Sequence, residues 1–106
     1  MQPNSSLSAS ALTIHHEPVP GGTTTTATAV LGEFAGREVG VWEMAPGTMT
    51  DTEADELFVV LSGSATVEFA DGSPALKLGA GDVVRLAEGA ETIWTVTETL
   101  RKVYLS

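Results

Sequence analysis

The side chains of this protein that could do chemistry are carboxylates and two histidines. Four of the six residues in the acidic segment (residues 51–56) are Asp or Glu, whereas His15 and His16 stand side by side near the amino terminus. Carboxylates can transfer protons or bind hard cations, and imidazole binds transition metals. The sequence contains no cysteine, which excludes thiolate nucleophiles, disulfides and cysteine metal sites.

Neither group has the pattern of a metal site. The acidic segment departs from the calcium loop of EF-hands, because Glu56 stands where glycine is required and Ser62 where a bidentate Glu is required. Adjacent residues of an extended chain point to opposite sides, so His15 and His16 cannot easily face one ion. We therefore expect the acidic segment to be a solvated turn and the two histidines to be a surface pair.

The charge of the chain excludes several classes of partner. Fourteen Asp and Glu oppose five Lys and Arg, which gives a formal net charge of −9, and the cations form no basic stripe. A surface this acidic repels nucleic-acid backbones and anionic lipids, so neither is expected as a partner. No apolar run approaches the roughly 18 residues of a membrane span, and the amino terminus lacks a secretory signal. With no cysteine present, we expect a cytoplasmic protein.

Short apolar and β-branched segments, separated by glycine-containing turns, account for most of the 106 residues. No long amphipathic helix interrupts them, so the pattern predicts an all-β sandwich or barrel. We expect one domain over residues 21–106, preceded by a flexible tail and loop over residues 1–20 with at most one helical turn near residues 8–12. The predicted strands are 23–31, 38–44, 57–61, 65–69, 75–78, 83–86, 93–96 and 100–105.

Several segments occur in the order and spacing of a known set of motifs. Val41-Trp42-Glu43 precedes the turn Pro46-Gly47, and a Glu-x-x-x-Val-Leu-x-Gly run extends from Glu56 to Gly63. A glycine-bounded run covers residues 81–89, and Trp94 precedes the terminal sequence Glu-Thr-Leu-Arg-Lys-Val-Tyr of residues 98–104. Together they resemble the cupin superfamily, and especially its cupin-3 (DUF861) branch, which includes ureidoglycine aminohydrolase-like and ethanolamine-utilisation cupins.

The resemblance implies a small double-stranded β-helix, that is, a jelly-roll barrel of two antiparallel sheets, and a homodimer. Cupin enzymes usually hold iron, manganese or zinc through three histidines and the motif Glu, which here is Glu56. The histidine positions are taken by Thr50 and Thr52, or by Met49 and Asp51 under another gap, and by Thr92. Threonine hydroxyls are poor ligands for these metals, so we expect no bound metal and no cofactor.

The resemblance also implies that Glu56 points into the barrel, where it is the candidate catalytic acid or base. Burial beside aromatic side chains would raise its pKa, and a nearby Lys102 or Arg101 would lower it. Packing alone could instead account for the two tryptophans, and an ion pair with Lys102 or a contact with Tyr104 could account for Glu56. The predicted ligand pocket comprises Trp42, Met49, Phe58, Thr92, Trp94, Lys102 and Tyr104.

Three functions follow as hypotheses. The first is a metal-free barrel that binds a small polar metabolite. The second is a metal-independent isomerase, lyase or hydrolase that uses Glu56 as general acid or base. The third is a non-catalytic dimerisation or regulatory module, whose interior should be filled by side chains. The sequence does not identify a substrate.

Overall fold

The computed structural model describes residues 1–106 as an all-β protein, which confirms the predicted fold class. No helix is present, and hence none that is long and apolar enough to cross a membrane. All strand pairs are antiparallel. The strands are β1 (Glu17–Pro18), β2 (Thr25–Phe34), β3 (Arg37–Met44), β4 (Gly47–Thr52), β5 (Glu56–Phe69), β6 (Leu76–Gly79), β7 (Val83–Leu86) and β8 (Glu91–Leu105).

Two long strands, β5 and β8, pair along their whole length and run through both sheets of the barrel. The first half of β5 pairs with the second half of β8, and β7, β3, β2 and β1 extend this sheet at its two sides. The second half of β5 pairs with the first half of β8, and β4 and β6 extend the other sheet. Because both strands bend between their halves, the two sheets close on one interior.

The bend lies at Gly63. The pairing of β5 with β8 shifts register three times between Val60 and Ala65, which is the signature of β-bulges. Gly63 has a φ of 94°, a conformation that strains any residue with a Cβ, and a Cβ there would collide with the carbonyl of Thr99. The glycine is therefore required for the chain to pass from one sheet to the other.

The structure corrects the predicted strand boundaries in two ways. Residues 57–61 and 65–69 belong to one strand, as do 93–96 and 100–105, because the residues between them bulge without ending the pairing. Two strands were missed: β1, which has only two residues and lies in a predicted loop, and β4. The sequence of β4, Gly-Thr-Met-Thr-Asp-Thr, has only one apolar side chain, Met49, so the alternation that marks a half-buried strand is too weak to detect.

The inward faces of both sheets form one hydrophobic core. Its largest fully buried side chains are Trp94, Phe58, Met44, Leu86 and Leu100. Removing a side chain of this size from water contributes about 1.5–3 kcal/mol to stability. The remaining core members are Met49, Val60, Ala65, Val67, Leu78, Val84, Val96 and Tyr104.

The amino-terminal residues make specific contacts with the barrel. Residues 8–11, where at most one helical turn was predicted, form a single turn closed by a hydrogen bond from Ala11 N to Ser8 O. Arg101 donates a hydrogen bond to the carbonyl of Ala9, and the His16 ring bonds to Thr25 and Glu43. The division into a flexible tail at 1–20 and a domain at 21–106 stays a prediction.

Candidate functional site at the barrel mouth

Four strands bring the candidate side chains to one open end of the barrel. The register places Met49 opposite Trp94, Trp42 opposite Lys102, and Asp51 opposite Thr92. We use the name barrel mouth for the cavity of about 340 Å³ at this end. It is lined by Thr28, Glu38, Trp42, Met49, Asp51, Thr52, Glu53, Ala54, Glu56, Trp94, Lys102, Tyr104 and Ser106.

A buried ion pair lies at the centre of the barrel mouth. Lys102 Nζ lies 3.0 Å from Glu56 Oε1, and only 6% of the lysine side chain and 12% of the glutamate side chain are exposed. Glu56 is the first residue of β5 and Lys102 faces inward from β8, so the pair joins two strands of one sheet. Arg101, the other predicted cation, faces the opposite side of the sheet.

Three aromatic rings surround the ammonium group of Lys102. Nζ lies 4.1 Å from the ring centroid of Phe58, 4.6 Å from that of Trp42 and 5.2 Å from that of Trp94. The two indoles contact each other edge to face, with centroids 5.4 Å apart. The negative faces of aromatic rings attract cations, so these rings stabilise a positive charge at Nζ in addition to Glu56.

Burial governs the acidity of both partners. It raises the pKa of Glu56 above 4.5, and this effect exceeds the opposing attraction of Lys102. It likewise lowers the pKa of Lys102 below 10.5, despite the opposing attraction of Glu56. The sequence alone leaves open whether burial or a cation has the larger effect on the pKa of Glu56, and the depth of its burial in the structure favours a raised pKa. A proton shared by this pair is easier to move than one shared by the same groups in water.

Glu53 is the main residue that the sequence reasoning misplaced. Its side chain is buried, and Oε2 accepts hydrogen bonds from Thr92 Oγ1 at 2.6 Å and from Trp94 Nε1 at 3.0 Å. Its backbone is also bonded to Gly89 and Ala90. The prediction of a solvated acidic turn is therefore wrong for this residue. The period-two alternation from inward-facing Met49 places residue 53 inward and could have identified it.

The other acidic residues of the segment differ in environment. Asp51 lies at the rim, and burial together with the nearby charge of Glu53 raises its pKa. Asp55 faces solvent, where hydrogen bonds from the Glu88 amide and Arg85 lower its pKa. The acidic segment thus contributes two largely buried carboxylates, Glu53 and Glu56, one at the rim, Asp51, and one that faces solvent, Asp55.

Tyr104 is another residue of the barrel-mouth wall. Its hydroxyl donates a hydrogen bond of 2.7 Å to Glu38 Oε2, and burial and that carboxylate together raise the pKa of the phenol. The ring lies over Gly40, where a Cβ would collide with it. Tyr104 and Lys102 share the inward face, as the alternation of the last strand predicted.

The structure brings the predicted site residues together to different degrees. Glu56 and five of the seven predicted pocket residues line the barrel mouth, whereas Phe58 and Thr92 lie behind its wall. The Phe58 ring lies against the ammonium group of Lys102, and Thr92 donates a hydrogen bond to Glu53. Trp94 is both a core residue and part of the wall. The remaining wall residues were not predicted as part of the pocket: Thr28, Glu38, Asp51, Thr52, Glu53, Ala54 and Ser106.

These residues do not fit the metal that the cupin fold commonly holds. No three His, Cys, Asp or Glu side chains are grouped so as to hold a metal ion. Glu56 is paired with an ammonium group, and Glu53 accepts two hydrogen bonds. Lys102 places a positive charge among the carboxylates, where it would repel a metal cation.

A second polar cluster lies on the outer face of the same sheet. Arg101 Nε donates to Glu43 Oε2 at 2.7 Å, and His16 Nε2 lies 2.7 Å from Glu43 Oε1. Burial would raise the pKa of Glu43, but the His16 and Arg101 hydrogen bonds outweigh it and hold that pKa below 4.5. His15 is exposed beside Glu17, as expected for a surface residue, whereas His16 is partly buried and structural.

A larger cavity of about 520 Å³ lies between the first three residues and β2. Its wall includes Met1, Leu31, Phe34 and Val39, and Glu33 is its one charged side chain. It contains no pair of titratable side chains. The barrel mouth is therefore the better candidate for chemistry.

Comparison with known proteins identifies the family. Residues 31–104 match the Cupin_3 family, described as the EutQ-like cupin domain. A search of curated proteins found no match to this chain.

Solved structures show the same fold. The EutQ protein of Clostridium difficile superposes with a TM-score of 0.79 at 17% identity, covering 94% of this chain and 83% of that one. A DUF861 family protein of Thermotoga maritima is 28% identical with a TM-score of 0.57, over 60% of this chain and 73% of that one. A Rhizobium leguminosarum protein of unknown function is 26% identical with a TM-score of 0.68, over 76% and 78%. Because the family match covers most of the chain, this protein belongs to the EutQ-like cupin-3 (DUF861) branch of the cupin superfamily.

Proposed function

We propose that the barrel mouth binds a small polar metabolite. The observation that carries this proposal is the open cavity beside the buried pair of Lys102 and Glu56. Burying two charges at a cavity wall is costly unless their hydrogen-bonding capacity is used. A bound polar molecule would use the hydrogen-bonding capacity of both charged groups.

The size and lining of the cavity support a small ligand with several polar groups. Its volume of about 340 Å³ lies near the lower end of ligand sites, about 300–1,000 Å³. Lys102 can donate to a carbonyl or carboxylate oxygen, whereas Asp51 and Glu56 can accept from hydroxyl or ammonium groups. Trp42 and Trp94 supply flat apolar walls. The alternative of a non-catalytic module predicted a filled interior, so the cavity favours binding over that alternative.

A specific observation favours a second candidate function, an enzyme that uses Glu56 as general acid or base. Its raised pKa brings the carboxyl closer to neutral pH, where a group can both accept and donate a proton efficiently. Isomerisation, elimination or hydrolysis of a small substrate would suit one such carboxyl. The structures named EutQ are 17% and 20% identical to this chain, so no substrate is inferred from them.

Intrinsic fluorescence can test binding directly, because the two tryptophans of the chain both line the barrel mouth. Small amino acids, hydroxy acids, amines and sugars should be titrated one at a time into the full-length protein. We expect at least one compound to give a saturable change. Thr28→Phe, which fills the cavity from β2, should abolish that change. The matched control Thr50→Phe, on the exposed face of β4, should not.

The result that would contradict binding is also defined. If no compound in these classes changes the fluorescence, or if Thr28→Phe leaves every response intact, the barrel mouth is not the binding site. For the enzyme candidate, a substrate whose turnover survives Glu56→Gln unchanged would exclude Glu56 as its acid or base.

A further inference from the structure

We infer that Lys102 is a nucleophile that condenses reversibly with a small aldehyde or ketone at the barrel mouth to form an imine. The inference rests on the proposed function, because the carbonyl compound would occupy the same cavity. It goes further in naming a class of ligand and a covalent step.

The geometry places an amine where a bound molecule would meet it. Lys102 is one of the residues that line the cavity, and with 6% of its side chain exposed it is largely enclosed by protein. Glu56 lies within 3.0 Å and can move protons to and from the reacting atoms. Lysines that form imines in enzymes lie in apolar surroundings that favour the neutral amine. Here the burial of Lys102 supplies those surroundings, and the rings of Phe58, Trp42 and Trp94 attract the positive charge of the iminium product.

The two partners of the ion pair favour the proton transfer that the reaction needs. Burial raises the pKa of Glu56 and lowers the pKa of Lys102. Moving one proton from Nζ to Oε1 therefore replaces two buried charges by two neutral groups, which burial favours. The product is a neutral amine, the nucleophilic form, beside a carboxylic acid that can protonate oxygen.

The step balances without any further reactant. The lone pair of Nζ attacks the carbonyl carbon, and the C=O π electrons move to the oxygen. Glu56 carries a proton from nitrogen to that oxygen to give a carbinolamine. It then protonates the hydroxyl group, which leaves as water while the C=N bond forms. The resulting iminium keeps its positive charge near the position of the original ammonium, between the Glu56 carboxylate and the aromatic rings.

A purely structural ion pair makes a different prediction, and the chain provides an internal control. Lys77, on β6, is the only other lysine, and its side chain is exposed. If Lys102 served only to neutralise Glu56, its amine should be less reactive than that of Lys77. Imine formation requires the amine of Lys102 to be more reactive than that of Lys77.

The experiment is reductive trapping in the native full-length protein. Acetaldehyde and sodium cyanoborohydride at pH 7 convert any imine into an ethyl-lysine, which peptide mass spectrometry locates. We expect Lys102 to be modified faster than Lys77, because burial lowers the pKa of Lys102 and so enlarges the fraction of neutral amine. Lys102→Arg keeps the charge and should remove the modification at this position. Glu56→Gln should slow trapping at Lys102 and leave trapping at Lys77 unchanged.

The opposite pattern would overturn the inference. Modification of Lys77 and the Met1 amine, with Lys102 reacting only after urea unfolds the chain, would show that Lys102 is not a nucleophile. If a non-carbonyl compound still gave a saturable fluorescence change that Thr28→Phe abolishes, the binding function would stand without the imine. If Lys102 were not trapped and no compound changed the fluorescence, both the imine and the binding function would be refuted.

Discussion

The ion pair between Lys102 and Glu56 should show strong energetic coupling, which a double-mutant cycle can measure. The variants are Glu56→Gln, Lys102→Met and the combination of the two. Each single variant leaves one ionisable group in the barrel mouth without its partner. The double variant leaves neither, and methionine preserves the packing of the lysine stem against Trp42 and Phe58.

The expected coupling follows from the geometry. At 3.0 Å, two unit charges attract by about 5 kcal/mol at an effective dielectric constant of about 20. Desolvation of both groups offsets part of this attraction, and Glu56 without Lys102 can become neutral by binding a proton. We expect each single variant to lose about 2–3 kcal/mol of unfolding free energy and the double variant to lose no more than either. The coupling energy is then at least about 2–3 kcal/mol.

Urea unfolding followed by far-ultraviolet circular dichroism supplies the four free energies. Circular dichroism is preferable to fluorescence here because the variants lie beside both tryptophans. The exposed pair of Arg85 and Asp55, 3.1 Å apart, is a matched control that should couple far more weakly because water screens it. A coupling below about 0.5 kcal/mol for Lys102 and Glu56 would refute the reasoning.

Three further predictions test the surroundings of this pair. The folded pKa of Glu56 exceeds its unfolded value of 4.5, so the folded state binds a proton more readily and its stability falls as pH rises above 4.5. Glu56→Gln should flatten this decline between pH 4.5 and 7 in urea titrations. Plots of unfolding free energy against pH that run parallel for the two proteins would contradict this prediction. Glu53→Ala should cost about 2–4 kcal/mol, because it leaves the buried Trp94 Nε1 unpaired and Thr92 Oγ1 with only the long 3.4 Å contact to Asp51 O. Glu91→Ala on the exposed surface should cost under about 0.5 kcal/mol, and equal losses would show that Glu53 is not buried as described. Gly63→Ala should lower the melting temperature far more than Gly72→Ala. Both glycines have a positive φ, but only at Gly63 would a Cβ collide with neighbouring backbone. Similar melting temperatures for the two variants would rule out the close packing at the bend.

The sequence predicted the architecture well because its signals are local. Glycine turns and alternating apolar residues mark most of the strands, and the family motifs supply their order. The bends escaped because Ser62 and Gly63 resemble an ordinary turn, whereas the pairing with β8 continues through them. Continuity of that kind depends on a strand more than thirty residues away in the chain, so local sequence cannot show it.

The site was predicted only in part, for a related reason. Glu56 and Lys102 were identified because alternation and motif position agree on their inward direction. Glu53 was missed because its acidic neighbours suggest a solvated turn, whereas its burial depends on Trp94 and Thr92 from a distant strand. The cytoplasmic location and the homodimer stay predictions, and sedimentation velocity would test the latter.

The most direct test of the binding proposal is nuclear magnetic resonance of the two indole N–H groups. Trp42 and Trp94 each carry one indole N–H, and Trp94 Nε1 is hydrogen-bonded to Glu53 at the wall of the barrel mouth. During titration with a compound that changes the fluorescence, we predict that both signals shift with one dissociation constant and that Thr28→Phe prevents the shifts. Indole signals that stay fixed while amide signals shift at the cavity between residues 1–3 and β2 would contradict the proposal.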